Sequence, residues 1–336
     1  MKIGIITQPL LNNYGGIIQN YALQKILNNF GHDAVTFDCR YRSTPWWMYL
    51  GSWIKTLFYI FILRKKRSFA KITPIEQRLD MFEDFLSENI SKTKPLTNIS
   101  CESDLVNMFD AFVVGSDQVW RPRYAPKIEN AFLDFLKKND VLRISYAASF
   151  GVDNWEFTPA QTKVCSSLIK KFNAISVREK SGEKLCKENF GVVATWVLDP
   201  TLLLQKDDYL KLCGNVPFSS KQYLAAYLLN TNDSINKACE KIAADRGLEL
   251  KFFSADSQAK LTIPEWIAMF LDASFVVTDS FHGTVFSIIF GKEFKCFYNN
   301  ARGTARFESL LNLYNSGKLE EMRQFSLNWL KHALES

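Results

Sequence analysis

The chain has 336 residues, of which 47% are hydrophobic and 23% charged, and this composition excludes a disordered protein. The length is sufficient for about two domains that each bury a core. The net charge of +6 at pH 7 is too small and too dispersed to indicate nucleic-acid binding, but it suits an anionic small substrate or an anionic membrane surface.

Strand-like and helix-like segments alternate along the first 200 residues. Short, continuous apolar runs such as Ala111–Val114 are typical of parallel strands that are buried on both faces. These runs predict strands at residues 2–7, 34–39, 111–114, 143–147, 174–177 and 193–198. Helical periodicity predicts helices at residues 16–30, 159–172 and 179–189.

The alternation begins again after Asp199 and Pro200. Strands are predicted at residues 223–229, 250–253, 275–278 and 294–298, and helices at residues 234–246, 264–271, 283–290 and 319–330. This order predicts an α/β fold with two Rossmann-like domains, at residues 1–200 and 201–318, followed by a C-terminal helix within residues 319–336.

Residues 41–95 interrupt the alternation. Within them, the 18-residue run WWMYLGSWIKTLFYIFIL at residues 46–63 is followed at once by four basic residues, 64–67. A membrane span needs about 20 apolar residues, and this run is shorter and contains Lys55. Two interpretations stay open: a helix that lies in the interface of an anionic membrane, and an insertion packed on the protein itself.

The cysteines, the histidines and the N-terminal residues indicate where the protein is located and whether it binds zinc. The chain has seven cysteines without a CxxC pair and only three histidines, so we expect reduced thiols and no zinc site. The first seven residues predict a strand rather than a signal peptide, and we therefore expect a cytoplasmic protein.

The stretch TDSFHGT at residues 278–284 is the strongest candidate site. It lies between a predicted buried strand and a predicted helix, where α/β proteins bind ligands. The first N–H groups of that helix favour an anion such as phosphate or carboxylate. His282 is placed at this turn and can exchange a proton near pH 7.

Two further strand ends carry polar residues. Arg178 offers a planar fork for a carboxylate or phosphate, or it pairs with Glu179 or Asp199. Asp117 and Trp120 in the string GSDQVW suit a sugar, because its hydroxyls need acceptors and its C–H face stacks on an indole; the alternative is a turn with a buried Trp.

Two loops complete the candidates. The loop Asn13-Tyr14-Gly15-Gly16 links the first strand to the first helix, but it lacks GxGxxG and a GK[ST] ending, so NAD or ATP binding is not indicated. Arg302 and Arg306 add two cations after the last predicted strand. They either contact an anion or begin a helix.

Six strings occur in one order along most of the chain: NYGGIIQNYAL, GSDQVW, RISYAASFG, ISVREKSG, LDPTLLL and TDSFHGTVFSIIFG. Together they resemble the polysaccharide pyruvyl transferase family. The resemblance implies two Rossmann-like domains in a glycosyltransferase-B-type arrangement with a cleft between them. It also implies transfer of pyruvate from phosphoenolpyruvate to sugar hydroxyls as a ketal, in capsular or exopolysaccharide biosynthesis.

The resemblance implies that Arg178, Phe281 and His282 face phosphoenolpyruvate. Some family members have Arg-Leu-His where this chain has Ser280-Phe281-His282, so one arginine is missing. Arg302 or Arg306 could replace it, and Ser280 could donate from its hydroxyl. On this basis the chemistry needs an acid, for which we expect His282, and a group that orients or deprotonates the acceptor, for which we expect Asp117.

The expected partners follow from the same comparison. The 201–318 domain is expected to bind the donor. The 1–200 domain is expected to bind the acceptor through residues 13–16, Asp117 and Trp120. We expect an isoprenoid-linked acceptor, peripheral contact of residues 46–67 with the inner face of the cytoplasmic membrane, and neither metal nor cofactor. Two alternatives remain: a nucleotide-sugar glycosyltransferase of the same fold, and a non-catalytic sugar- or lipid-binding component of envelope assembly.

Overall fold

The computed structural model of the chain contains two parallel β-sheets, each flanked by helices. The structure describes residues 1–11, 13–40, 56, 76–125, 127–137, 140–214, 216–217, 219, 221–254, 261–298 and 303–336. The predicted membrane-contacting segment, residues 46–67, therefore lies outside the described residues apart from Thr56, and Arg302 lies outside them too.

The first sheet has six parallel strands in the order β2-β1-β3-β4-β5-β6. Its central strand β3 consists of four fully buried apolar residues, as expected for a strand covered on both faces. The strands are β1 (Lys2–Ile6), β2 (Asp33–Thr36), β3 (Ala111–Val114), β4 (Leu142–Ala148), β5 (Ala174–Val177) and β6 (Thr195–Trp196).

The second sheet has four parallel strands in the order β10-β9-β7-β8. The buried run of β9, Phe-Val-Val-Thr, lies next to β7 in the middle of the sheet. The strands are β7 (Tyr223–Tyr227), β8 (Glu249–Phe253), β9 (Phe275–Thr278) and β10 (Glu293–Cys296). The two Rossmann-like sheets predicted from the sequence are thus confirmed, while the boundary at residue 200 stays a prediction.

Helices follow most strands and cover the sheets. The described α-helices are α1 (Tyr14–Asn29), α2 (Glu76–Asn89), α3 (Ser103–Val106), α4 (Pro159–Ile169), α5 (Lys180–Leu185), α6 (Lys206–Cys213), α7 (Asp233–Arg246), α8 (Ile263–Leu271), α9 (Phe281–Ile289), α10 (Ala305–Asn315) and α11 (Leu319–Leu334). No helix of these described segments has the length and apolarity that crossing a bilayer requires.

Local sequence explains where two of these helices begin and where one ends. Thr158 and Thr262 each form a reciprocal capping box with the Gln or Glu three residues later, and a proline lies in the first turn of both helices. The helix predicted at 179–189 is interrupted, because a π-helical turn (Cys186–Phe190) follows α5. Gly191, with φ at +69°, ends that turn.

The C-terminal helix α11 returns to the first sheet. The Ser326 hydroxyl accepts a hydrogen bond from the backbone N–H of Leu198 (3.0 Å), and the Trp329 ring packs against Tyr146 of β4 (6.2 Å between centroids). The chain therefore passes from the first half to the second and back again.

The strand order places one ligand-binding edge in each half. In the first sheet the chain leaves β1 toward β2 and returns to β3 on the other side; in the second it leaves β7 toward β8 and returns to β9. Loops that follow strands at such a switch point form a crevice at the carboxyl edge of the sheet. The two switch points face one another across the cleft described next.

Candidate functional site

A cleft of ≈ 450 Å³ lies between the two halves. Its walls are the segments that follow β1, β3, β7 and β9, together with the start of α10. The first half contributes Gln8, Pro9, Leu11, Asn13, Gly15, Asp117, Gln118 and Tyr124, and the second contributes Tyr227, Leu229, Asp279, Ser280, Phe281, His282, Arg306 and Phe307.

His282 is the second residue of α9 and is 7% exposed. Its Nε2 is buried, has no hydrogen-bond partner among the described residues, and lies 3.8 Å from Oδ2 of Asp199. Burial lowers the pKa of His282 from its ordinary value, and the charge of Asp199 only partly opposes this effect. The imidazole is therefore neutral in the free protein near pH 7.

The turn that precedes α9 is held by its own polar residues. The Ser280 hydroxyl caps the helix by accepting a hydrogen bond from the Gly283 N–H (3.4 Å). The carboxylate of Asp279 accepts from the backbone N–H groups of Leu229 (2.6 Å) and Asn230 (3.0 Å), which ties the end of β9 to the end of β7. The N-terminus of α9 is thereby directed at the cleft.

Two guanidinium groups lie over the ring of Phe281. Arg178 is 4.7 Å and Arg306 5.6 Å from the ring centroid. Arg306 lines the cleft, and burial together with repulsion from Arg178 lowers the pKa of Arg306 to about 10. Arg306 thus keeps its positive charge near pH 7. One of the two arginines that the sequence analysis proposed for this region therefore lines the cleft as a cation.

Arg178 does not line the cleft. Its Nη1 pairs with Oδ2 of Asp199 (2.6 Å) and its Nη2 with Oδ1 of Asp117 (3.4 Å), and the residue is 3% exposed. The expected contact of this arginine with the substrate stays a prediction, because in the structure its fork is occupied by two carboxylates of the protein. Of the two alternatives left open by the sequence, pairing with Asp199 is the one found.

Asp199 is the residue at the centre of this network that sequence reasoning did not assign to the site. Its carboxylate also accepts hydrogen bonds from the hydroxyls of Ser116 (3.0 Å) and Thr201 (2.6 Å). Burial alone would raise the pKa of Asp199, but the charge of Arg178, the charge that His282 carries once it is protonated, and the hydrogen bonds from Thr201 and Arg178 lower it to about 2. Its only sequence signal was its position in LDPTLLL, directly after the last strand of the first sheet.

Asp117 reaches the cleft from a strained turn. Its backbone is left-handed, with φ at +71°, and its carbonyl accepts from the N–H groups of Val119 (2.7 Å) and Ser149 (3.1 Å). Its Oδ2 accepts from the side-chain amide of Asn13 (3.1 Å). The carboxylate that we expected to orient an acceptor therefore lies in the cleft wall, with its position fixed on both sides.

Gly15 and Gly16, in the first turn of α1 rather than in the predicted loop, bring this helix close to these groups. A Cβ on Gly15 would overlap the imidazole of His282, and a Cβ on Gly16 would come within 2.8 Å of the Asn13 amide nitrogen. Only glycine lets the backbone approach the histidine in this way. Asn13 and Gly15 line the cleft as expected, whereas Gly16 lies behind Asn13.

Tyr14 and Trp120, for which we expected contacts with a sugar, do not line the cleft, and their rings lie in the core. Tyr14 is 1% exposed, stacks on Trp266 of α8 (5.3 Å between centroids) and donates its hydroxyl to the Leu261 carbonyl. Trp120 is fully buried, stacks on Phe132 and donates its indole N–H to the Ala131 carbonyl. Both residues satisfy their polar atoms inside the protein.

No group of three or more His, Cys, Asp or Glu side chains is arranged to hold a metal ion in the segments that the structure describes. The expectation that neither metal nor cofactor is needed stays a prediction.

The sequence model of the polysaccharide pyruvyl transferase family matches residues 13–300. The chain belongs to this family. The match covers every strand except β1, and it includes each lining residue of the cleft between Asn13 and His282. This family membership makes the chain a transferase related to those that modify polysaccharides. No curated protein sequence is significantly similar to it.

The structure of this pyruvyl transferase family member is similar to solved structures of sugar-nucleotide enzymes. One comes from Listeria monocytogenes and is described as a UDP-N-acetylglucosamine 2-epimerase. The TM-score is 0.52 and the sequence identity is 11%, and the match covers 100% of this chain and 96% of that chain. Another is the UDP-GlcNAc 2-epimerase of Methanocaldococcus jannaschii, with a TM-score of 0.47 and 13% identity, covering 88% and 83%. At 11% identity, the similarity to the Listeria monocytogenes structure shows the fold alone. That fold is the glycosyltransferase-B-type pair of domains that the sequence predicted.

Proposed function

We propose that this family member transfers pyruvate from phosphoenolpyruvate to two hydroxyls of a sugar, as a ketal. The observation that carries the proposal is the position of His282 at the first turn of α9, in a cleft that also holds the Arg306 cation and the Asp117 carboxylate. A proton donor, a cation and a hydroxyl acceptor are the groups that this reaction needs in one place.

The second half suits an anionic donor. The N-terminus of α9 offers backbone N–H groups with a favourable dipole, and Arg306 supplies a full positive charge beside it. The Ser280 hydroxyl can donate to the same anion, because its oxygen already accepts from Gly283. A phosphate and a carboxylate attached to the same carbon, as in phosphoenolpyruvate, match this set of donors.

The reaction balances with the groups in the cleft. One sugar hydroxyl adds to C2 of phosphoenolpyruvate: its O–H bond breaks, a C–O bond forms at C2, and C3 gains one proton in exchange for the proton that the hydroxyl loses, so the C=C bond becomes C–C. The second hydroxyl then forms the other C–O bond at C2, and the bond from C2 to the phosphate oxygen breaks. The proton of the second hydroxyl leaves with the phosphate. No oxidant or reductant is needed.

His282 is our candidate for the proton donor to C3. It is neutral in the free protein, and the negative charge of a bound donor would raise the pKa of its imidazole. Asp199, 3.8 Å from Nε2, would stabilise the imidazolium that forms. Asp117 is our candidate for accepting the hydrogen bond of the attacking hydroxyl, since its carboxylate is held in the cleft by Asn13 and Arg178.

We further propose that the acceptor sugar is carried on an isoprenoid lipid, for a capsular or extracellular polysaccharide. This part rests on the sequence of residues 46–67, in which an aromatic run is followed by four basic residues. Such a segment suits peripheral attachment to an anionic membrane, where a lipid-linked sugar would be presented.

The decisive experiment incubates the protein with phosphoenolpyruvate and a panel of soluble and lipid-linked sugars, and follows both phosphate release and the mass of the sugar. We expect acceptor-dependent phosphate release and a sugar that has gained a pyruvate ketal, with a chelator present or absent. Turnover of a nucleotide sugar instead would favour a glycosyltransferase. If no acceptor causes phosphate release, a non-catalytic binding protein is favoured.

A further inference from the structure

Tyr124 is the one aromatic residue of the first-half cleft wall among the described residues. It ends a short 3₁₀ turn (Pro122–Tyr124), lines the cleft and is 42% exposed. Trp120, four residues earlier, has its ring in the core. The aromatic surface that this half offers to a ligand therefore belongs to Tyr124.

The ring of Tyr124 packs against a guanidinium group that is itself fixed by hydrogen bonds. The guanidinium of Arg121 lies 5.0 Å from the ring centroid, and Arg121 is itself 1% exposed. Arg121 is fixed by two hydrogen bonds to the Glu156 carboxylate (2.9 and 3.0 Å) and by one to the side-chain oxygen of Gln118 (2.9 Å). A ring whose orientation is set before binding loses little entropy when a ligand stacks on it.

Polar groups share this cleft wall with the ring. Gln8, Asn13, Asp117 and Gln118 line the cleft on the side of the first half, and the side-chain amide of Gln8 donates to the Gln118 backbone carbonyl (3.0 Å). The opposite wall carries His282 and Arg306. A wall that combines one aromatic ring with carboxylate and amide groups suits a ligand that has an apolar C–H face and a rim of hydroxyls.

We propose that Tyr124 is the stacking platform for the pyranose ring of the acceptor, with Asp117 receiving one of its hydroxyls. This inference rests on the proposed function, because it assigns the acceptor part of the same cleft. It replaces the contact expected of Trp120, and it predicts a preference for cyclic sugars over open-chain polyols, which have hydroxyls but no rigid C–H face.

The test measures the binding of sugars and donor separately on the full-length protein. Saturation-transfer NMR and titration calorimetry would use methyl pyranosides of glucose, galactose and mannose, with glucitol as the open-chain control. We expect at least one pyranoside to bind with its C–H face saturated, glucitol to bind more weakly, Tyr124→Phe to retain binding, and Tyr124→Ala to lose about tenfold in affinity. The matched control is Tyr314→Ala, because Tyr314 lies on α10 outside the cleft and is 39% exposed.

The platform would be overturned by equal pyranoside affinity of the wild type and Tyr124→Ala, or by binding of none of the pyranosides by the wild type. The affinity for phosphoenolpyruvate, measured on the same samples, should be the same in all variants. If the wild type binds pyranosides through Tyr124 but does not bind phosphoenolpyruvate, the proposed donor fails while the platform stands. A folded Tyr124→Phe that loses binding would also contradict stacking on the ring.

Discussion

The backbone of Gly15 lies against the imidazole of His282 so closely that a Cβ at residue 15 would overlap the ring. The two residues belong to different halves of the molecule, at the start of α1 and the start of α9. The position of the histidine is therefore set by the first turn of α1, in the opposite half, as well as by its own helix.

The first prediction is that Gly15→Ala lowers the rate of ketal formation by about 10²-fold, because the new methyl group displaces His282 from its place beside Asp199. The rate would be measured at saturating phosphoenolpyruvate and sugar, with circular dichroism to verify folding. If the effect acts through the histidine, Gly15→Ala should cause little further loss in a His282→Ala background. Additive losses in the double variant would contradict this coupling.

The second prediction concerns His282 itself. His282→Ala should lower turnover by about 10²–10⁴-fold and leave the fold intact, because a general acid is removed from the cleft. The matched control is His332→Ala, since the His332 side chain on α11 is 80% exposed and lies outside the cleft lining. Turnover close to that of the wild type in a folded His282→Ala variant would exclude the proposed role.

The third prediction separates the two arginines beside Phe281. Arg178→Lys should lower the free energy of unfolding by about 2 kcal/mol, because one ammonium group cannot bond both Asp199 and Asp117. Arg306→Lys should instead weaken phosphoenolpyruvate binding by about tenfold, because the planar fork that lines the cleft is lost. Urea denaturation measures the free energy of unfolding, and titration calorimetry measures the affinity for phosphoenolpyruvate. Reversed effects would mean that Arg178, not Arg306, binds the donor.

The fourth prediction is that the protein takes up a proton when it binds phosphoenolpyruvate. Burial holds the pKa of free His282 below 6.5, and the charge of the donor raises the pKa in the complex. At a pH between the pKa of free His282 and its pKa in the complex, binding of phosphoenolpyruvate is coupled to uptake of a proton. The affinity for phosphoenolpyruvate therefore falls as the pH rises through this range. Calorimetry above pH 7, in two buffers of different ionisation enthalpy, measures the uptake. A His282→Gln variant with the same uptake would assign the proton to another group.

The fifth prediction tests membrane attachment by residues 46–67. Replacement of Arg64, Lys65, Lys66 and Arg67 with Gln should reduce sedimentation with anionic liposomes and leave turnover of a soluble sugar intact. Each cation contributes about 1 kcal/mol near such a surface before screening, so attachment should also weaken with salt. Equal sedimentation of variant and wild type would contradict the electrostatic part. Absence of binding to any liposome would favour an insertion packed on the protein.

The strands were predictable because burial on both faces leaves a clear apolar pattern. Ala111–Val114 and Phe275–Thr278 begin and end at the residues that the sequence indicated. The edge strand predicted at 193–198 is only Thr195–Trp196, since pairing on one side ends where β5 does. Hydrophobic runs reveal that a residue is buried, but they carry no information about where its partner strand stops.

The candidate site was predictable to a smaller extent. The turn around His282 could be identified from a strand, a turn and a helix that are neighbours in sequence. The pairing of Arg178 with Asp199 joins two segments by a contact between side chains, and nothing in the local pattern of either segment specifies it. Likewise, Trp120 and Tyr124 are both aromatic residues near one strand end, and only packing shows which one is in the core.

The return of α11 to the first sheet has a consequence for how the chain is made. Helix α11 is synthesised after the whole second half, yet it packs on Tyr146 of β4 and caps the Leu198 N–H. On the ribosome, this part of the first half stays uncovered until roughly 120 later residues have been added, which takes on the order of ten seconds. The packing around Tyr146 and the hydrogen bond of the Leu198 N–H can therefore form only after α11 has been made.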